Sequence, residues 1–140
     1  MSQPDVVLSG IRATARLHLG NYLGAVQKFA ELSRDPSNTC LYFIADQHTL
    51  TTLQDARRIR EFLPEIVLDY LAAGVDVEAG AIIFAQSSIP ETSQLSWILS
   101  CFVPVGDLLR MPSYNEKSGQ AGANAGLLCY PVLMAADILG

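Results

Sequence analysis

The sequence is poor in cysteine and in charge, and each deficit excludes a class of protein. It has three cysteines, which stand singly in apolar segments, and this odd number argues against a disulfide framework and a zinc site. We expect Cys40, Cys101 and Cys129 to be small core residues in a reducing compartment. The net charge of −5 argues against a broad basic surface for nonspecific nucleic-acid binding. The low charged fraction of 16% predicts that a partner chain or additional sequence covers much apolar surface.

Long apolar runs and a targeting leader are also missing. No window approaches the roughly 18 uninterrupted apolar residues of a transmembrane helix. Residues 1–5 do not form a basic and apolar leader. We therefore expect a cytoplasmic protein without membrane contact. The 140 residues suffice for one domain with a buried core.

Three short apolar runs alternate with helical patterns along the chain. The apolar runs are residues 6–9, 40–45 and 81–85, and helical spacing covers 21–32, 55–73 and 94–102. Continuously apolar strands separated by helices are typical of a parallel sheet with covered faces and right-handed crossovers. We predict this α/β arrangement, with a tight turn at Gly10 and a polar, glycine-rich loop over 112–124. No strand follows the last helix, so the sheet is predicted to be incomplete.

The stretch 130–139 is an apolar helical run that carries one carboxylate, Asp137. Tyr130, Met134 and Asp137 are spaced i, i+4 and i+7, which puts them on one helix face. An unpartnered buried carboxylate costs several kcal/mol, so a donor must compensate for it. That donor is either the single N–H of a flat ligand or, alternatively, a protein group paired with Asp137 inside the core.

The loop after the first strand has features of a phosphate site. His18 and Asn21 are short polar donors, and Gly20 allows a base or phosphate to approach the backbone. Arg12 and Arg16 could add positive charge. The spacing is neither that of a Walker loop nor that of a dinucleotide fingerprint. The alternative is a helix cap at Asn21 beside an incidental histidine.

These residues and others downstream resemble a known family. His18-Leu19-Gly20-Asn21 resembles the His-Ile-Gly-His signature of class I aminoacyl-tRNA synthetases. Four further segments look like tryptophanyl-tRNA synthetase in the same order: Asp46-Gln47-His48, Gln86-Ser87-Ser88, the run 126–131 and Ala135-Ala136-Asp137-Ile138-Leu139. The resemblance extends from about Val7 to Leu139.

The resemblance implies a Rossmann-like nucleotide-binding fold. Residues 1–140 would be the N-terminal part of the class I catalytic domain, without the Lys-Met-Ser-Lys-Ser loop or the anticodon-binding domain. It also implies ATP-dependent activation of tryptophan and transfer of tryptophan to tRNA(Trp) by a homodimer. Magnesium would accompany the triphosphate, and no tightly bound metal is expected.

The resemblance also assigns roles to individual residues. Those assigned to ATP are Arg12, His18, Gly20, Asn21 and Lys117, and of these His18, Asn21 and Lys117 would act in catalysis. Asp137 would accept from the indole N–H, Met134 would lie along the ring, and Tyr130 would help hold the α-amino group. His48 would lie near the substrate, and the strand exit from Leu8 to Gly10 would form the pocket floor.

Other interpretations remain open at this stage. Arg12-Ala13-Thr14-Ala15 departs from the family's usual proline- and glycine-containing loop. The chain could be a stand-alone ATP- or tryptophan-binding domain without catalysis, or the segment 97–111 could serve chiefly as a dimer interface. Tyrosyl-tRNA synthetase is the sister alternative; it has tyrosine immediately before its aspartate, where this chain has Ala136, and this favours tryptophan.

Overall fold

The computed structural model describes residues 5–112, 114–115 and 124–140, in which strands and helices alternate. The strands are β1 (Asp5–Ile11), β2 (Asn38–Ile44) and β3 (Ile82–Ala85). The first helical region comprises α1 (Leu19–Asn21), a π-helical segment (Tyr22–Val26) and α2 (Gln27–Ser33). It is followed by α3 (Asp46–Thr49), α4 (Ala56–Ala72), a 3₁₀ turn (Gln86–Ser88), α5 (Pro90–Ser100), α6 (Val105–Leu109) and α7 (Ala125–Leu139). None of the helices described is long and apolar enough to cross a membrane.

The three strands form a parallel sheet in the order β1-β2-β3. The predicted α/β class with a parallel sheet is therefore confirmed. The predicted turn at Gly10 is wrong, because β1 continues to Ile11 and Gly10 pairs with Phe43. A Cβ at Gly10 would lie 2.6 Å from the Phe43 carbonyl oxygen, so glycine is needed here for close strand contact.

One face of the sheet carries the hydrophobic core. Cys40, Tyr42 and Ile44 point to this face of β2 and are at most 2% exposed. Tyr42 stacks on Phe29 of α2 with 4.4 Å between ring centroids, and its hydroxyl donates to the Phe29 carbonyl oxygen at 3.0 Å. Burial raises the pKa of the Tyr42 phenol well above its ordinary value. This packing joins the first crossover to the central strand.

The opposite face is only partly covered, contrary to the prediction of two covered faces. Leu41 and Phe43 are half-buried there, and Ile82 of β3 is 52% exposed. A cavity of about 550 Å³ separates this face from the start of α5 and the end of α7. An unbroken apolar run predicts burial on both sides, but α5 and α7 leave this side of the sheet partly open.

Helix boundaries follow local capping chemistry. Asp55 caps α4 by accepting from two backbone N–H groups, and Gly74 follows the helix with φ of +92°, as predicted for its end. α5 begins at Pro90 rather than at residue 94, because proline suits the first turn of a helix. The expectation of three core cysteines holds for Cys40 but is wrong for Cys101, which is exposed.

Candidate functional site

A cavity of about 330 Å³ lies at the carboxyl ends of β1 and β2, against α7. It is lined by Leu8, Ser9, Gly10, Arg12, Phe43, Ala45, His48, Thr51, Tyr130, Met134, Asp137 and Ile138. The carboxyl end of a parallel sheet is where open α/β folds bind ligands. The volume and the apolar lining suit one small, flat molecule.

The predicted face of α7 lines this cavity. Tyr130, Met134 and Asp137 all reach it, as the i, i+4, i+7 spacing predicts. Met134 is 47% exposed, so its thioether is available to a ligand. The ring of Tyr130 meets His48 edge-on, with 6.1 Å between ring centroids. α3 and α7, which are distant in sequence, thus form one wall of the cavity.

Asp137 is held by two side-chain donors. His48 Nε2 donates to Asp137 Oδ2 at 2.9 Å, and Gln86 Nε2 lies 2.7 and 2.9 Å from the two carboxylate oxygens. The Asp137 side chain is 7% exposed. The alternative of a protein partner is therefore confirmed. Asp137 also lines the cavity, and a ligand donor at that position stays a prediction.

A second carboxylate, Asp46, fixes the segments that carry these donors. Its Oδ1 accepts from the backbone N–H groups of Gln47 and Ser87, both at 3.0 Å. Its Oδ2 accepts from the Ser87 hydroxyl. Since Gln47 precedes His48 and Ser87 follows Gln86, Asp46 joins the exits of β2 and β3 beneath the donors.

The two arginines in the loop after β1 have different surroundings. Arg12 lines the cavity, whereas Arg16 makes two hydrogen bonds to Glu65, at 2.9 and 3.1 Å. The bonds to Arg16 hold the pKa of the exposed Glu65 carboxyl below its ordinary value. Between Arg12 and Arg16 in sequence, the Ala13 N–H donates to Thr49 Oγ1 at 2.8 Å, which anchors the loop to α3. Of the two, only Arg12 is directed to the candidate site.

His18, not Asn21, is the N-cap of the first helix. His18 Nδ1 accepts from the Asn21 N–H at 3.3 Å, and Asn21 Oδ1 accepts from the His18 N–H at 3.2 Å. A neutral imidazole that accepts at Nδ1 carries its proton on Nε2, which remains available as a donor. A Cβ at Gly20 would lie 2.9 Å from His18 Cε1, so glycine leaves room for this ring.

The structure does not bring all the predicted residues to one cavity. His18 lines a separate cavity of about 390 Å³ beside α4, with Asp69 and Ala72. Lys117 lies outside the described residues. Within the part of the chain that the structure describes, no group of three or more His, Cys, Asp or Glu side chains is placed to hold a metal ion.

Sequence reasoning missed Gln86 as a functional residue. Gln86 was noted only as part of a resembling segment, yet it makes two of the three side-chain contacts to Asp137. Its position directly after β3 was an available signal, because the carboxyl ends of neighbouring parallel strands meet at one edge. Thr51 and Phe43, which also line the cavity, gave no such signal.

Comparison with known proteins gives a consistent result. A model of the class I tRNA synthetases for tryptophan and tyrosine (W and Y) matches residues 2–140. The tryptophan–tRNA ligases of Fusobacterium nucleatum and Rhodopirellula baltica are 50% and 47% identical over 133 and 134 residues. These matches cover 94% and 95% of this chain but 40% and 41% of the relatives, so the chain spans about two fifths of their length.

A solved structure shows the same fold. Tryptophanyl-tRNA synthetase from Campylobacter jejuni, complexed with ADP and tryptophan, superposes with a TM-score of 0.86 at 36% identity. The match covers 95% of this chain and 41% of that one. With the Rossmann-like sheet, the cavity at its carboxyl edge and a family model matched along nearly the whole length, the chain belongs to the class I tRNA synthetases of the tryptophan and tyrosine group.

Proposed function

We propose that this chain is the N-terminal part of the catalytic domain of a tryptophan–tRNA ligase. The observation that carries the proposal is the Asp137 carboxylate, which faces an apolar cavity while His48 and Gln86 hold it in place. The ligands of the Campylobacter jejuni relative, ADP and tryptophan, suit the chemistry of such a site.

The amino-acid subsite is the cavity beside α7. Asp137 accepts from the indole N–H, Met134 lies along the ring, and Tyr130 helps to hold the α-amino group. His48 borders the ring, and the floor comes from Leu8 and Gly10, which line the same cavity. A ligand without a donor leaves the carboxylate short of a partner, so phenylalanine is rejected.

The ATP subsite is the loop between β1 and α1. His18 offers Nε2–H to a phosphate, the backbone at Gly20 lies under the adenine, and Asn21 maintains the cap that orients His18. Arg12 reaches from this loop into the amino-acid cavity, and Lys117 is proposed to contact the phosphates. Mg²⁺ would arrive with the triphosphate, since it prefers phosphate oxygens and water to a dedicated protein cage.

In the proposed reaction, a tryptophan carboxylate oxygen attacks the α-phosphorus of ATP. The bond to the β-phosphate breaks, pyrophosphate leaves, and tryptophanyl-adenylate forms. A tRNA(Trp) hydroxyl then attacks the activated carbonyl carbon, and AMP leaves. The protein contributes position and charge stabilisation, without a covalent enzyme intermediate. Because this reaction supplies translation, the cytoplasm is its proposed location.

Tyrosine is the competing substrate, because a phenol can also donate to Asp137. Ala136 stands where tyrosyl-tRNA synthetases have a tyrosine. It is fully buried and does not line the cavity, so this difference involves no direct contact with the substrate. The relatives at 50% and 47% identity are tryptophan–tRNA ligases, which supports tryptophan.

Pyrophosphate exchange into ATP tests the proposal. Labelled pyrophosphate is incubated with the chain and ATP, with tryptophan, with tyrosine or with neither, and circular dichroism verifies folding. We expect little or no turnover from this part of the catalytic domain by itself, and any exchange should depend on tryptophan and not on tyrosine. Exchange driven by tyrosine would assign the chain to the sister enzyme. Tryptophan binding without exchange would indicate a binding half-site that needs the rest of the catalytic domain for activity. A folded chain that shows no tryptophan binding and no exchange would overturn the proposal.

We propose further that the protein is a homodimer that uses α5 and α6. Exposed apolar side chains gather there: Trp97 (73% exposed), Ile98 (53%), Phe102 (79%) and Val105 (60%). An apolar patch rimmed by polar residues is typical of a protein interface. Aromatic side chains are often the residues that dominate binding energy at such interfaces.

The double substitution Trp97→Ser and Phe102→Ser is expected to weaken dimerisation at least about 30-fold, because removing a buried aromatic anchor costs about 2 kcal/mol or more. Sedimentation equilibrium measures the dissociation constant. Leu68→Ser is the matched control, since Leu68 is 64% exposed on α4, away from the patch. A dissociation constant unchanged by the double substitution would place the interface elsewhere.

A further inference from the structure

We propose that Gln86 is a positioning residue that directs one acceptor position of Asp137 toward the ligand. This inference rests on the proposed function, since it concerns how the tryptophan subsite recognises its indole N–H. Gln86 does not line the ligand cavity, but it hydrogen-bonds two residues that do, Asp137 and His48. Its effect on binding is therefore indirect.

Both ends of the Gln86 side chain are committed. The residue is 1% exposed, its Oε1 accepts from the His48 backbone N–H at 3.3 Å, and its Nε2 donates to Asp137. Only this orientation of the amide satisfies a donor at one end and a carboxylate at the other. The Gln86 side chain thus connects α3 to α7 through hydrogen bonds at both ends.

The hydrogen bonds to Gln86 and His48 leave the Asp137 carboxylate with few free acceptor positions. An ionised carboxylate offers about four lone-pair positions. Gln86 Nε2 lies within hydrogen-bond distance of both oxygens, at 2.7 and 2.9 Å, and His48 Nε2 takes a third position at 2.9 Å. One acceptor position remains, which matches the single N–H of an indole. The Gln86 amide sets its direction because it fixes the plane of the carboxylate.

The backbone beneath this arrangement is held independently. Asp46 accepts from the N–H groups of Gln47 and Ser87, so the residues next to His48 and Gln86 are tied to the same carboxylate. Substitution at Gln86 therefore leaves this link in place. The expected loss is one of carboxylate orientation, with the site otherwise retained.

A positioning role predicts an effect that depends on the ligand's donor. Benzothienylalanine replaces the indole N–H with sulfur while keeping nearly the same shape, so it makes no bond to Asp137. Gln86→Met preserves side-chain length but removes both polar contacts. We expect the variant to bind tryptophan about 3- to 10-fold more weakly, the size of one hydrogen bond. Its affinity for benzothienylalanine should change less than about 2-fold, within the usual effect of a volume-conserving swap.

Isothermal titration calorimetry with both amino acids measures the ratio of the two affinities in each protein. Gln47→Met is the matched control, because Gln47 lies one residue from His48 and its side chain bonds Ser93 instead. Gln86→Glu is a second variant, which keeps the acceptor for the His48 N–H and places a second carboxyl group against Asp137, so that the two groups repel each other or share a proton. It should lose at least as much tryptophan selectivity as Gln86→Met.

A tryptophan-selective loss in Gln86→Met and Gln86→Glu, absent from Gln47→Met, supports the inference. An equal loss of affinity for both ligands would indicate a purely structural role and would overturn the inference. Affinities for both ligands that stay at the wild-type level would also overturn it. A wild-type chain that binds tryptophan no better than benzothienylalanine overturns the proposed indole site and this inference together. A wild-type chain that discriminates, with variants that discriminate equally, overturns the inference alone.

Discussion

The Asp137→Asn variant is expected to bind tryptophan about 1–3 kcal/mol more weakly, which is roughly a 5- to 150-fold loss of affinity. Two effects add. The ligand's N–H loses a charged acceptor, and the new amide group must face at least one donor, since both His48 and Gln86 donate to this side chain. A donor that meets a donor leaves two polar groups unpaired in a nearly buried position.

Calorimetric titration of tryptophan into the wild type and the variant measures this loss. Asp76→Asn is the control, because the Asp76 carboxylate also accepts a hydrogen bond, in its case from the Ala79 backbone N–H at 2.9 Å, but does not line the cavity. Far-ultraviolet circular dichroism establishes that both variants retain their helices. Tryptophan affinity that survives in Asp137→Asn would remove this carboxylate from the indole site.

The Gly10→Ala variant is expected to lower the free energy of unfolding by about 1–3 kcal/mol through overpacking. Its new Cβ would lie 2.6 Å from the Phe43 carbonyl oxygen and 2.8 Å from two Phe43 ring atoms. The ring can rotate, but the carbonyl belongs to β2 and can move only if β1 and β2 separate. Because Gly10 and Phe43 also line the cavity, tryptophan binding should weaken as well.

Urea denaturation measures the change as a lower midpoint with an unchanged slope. Gly24→Ala is the matched control, since a Cβ at Gly24 in the π-helical segment meets nothing within 4 Å. That substitution should stabilise the chain by about 0.4–1 kcal/mol, because alanine restricts the unfolded chain more than glycine does. Equal midpoints for Gly10→Ala and the wild type would contradict the proposed strand contact.

The helix face of the site was predictable because its signal is local. Tyr130, Met134 and Asp137 belong to one helix, so the helical period alone places them together. The strands were predictable for a similar reason, since β2 is an unbroken apolar run between polar turns. A buried acid within such a run also signals chemistry before any fold is known.

The partners of Asp137 were not predictable in this way. Gln86 and His48 are 51 and 89 residues away from it in sequence, and only the tertiary fold brings them together. The partial cover of the second sheet face was not predicted for a related reason: the apolar run of β2 does not show which helices pack on each side. The alternative of a helix cap at Asn21 rests on asparagine being a common N-cap, whereas His18 takes that position through its imidazole.

The position of Asp137 along α7 has an electrostatic consequence. It lies in the last turn of Ala125–Leu139, where the unpaired carbonyl groups carry the negative end of the helix dipole. A carboxylate there is disfavoured by about 0.3–1 kcal/mol, and the donors that reach it offset this repulsion. An additional N–H from a ligand would offset more of it, so occupancy of the cavity and stability of the end of α7 are thermodynamically linked. In the proposed site, the carboxylate that contacts the ligand would therefore also stabilise the end of α7 when the ligand binds.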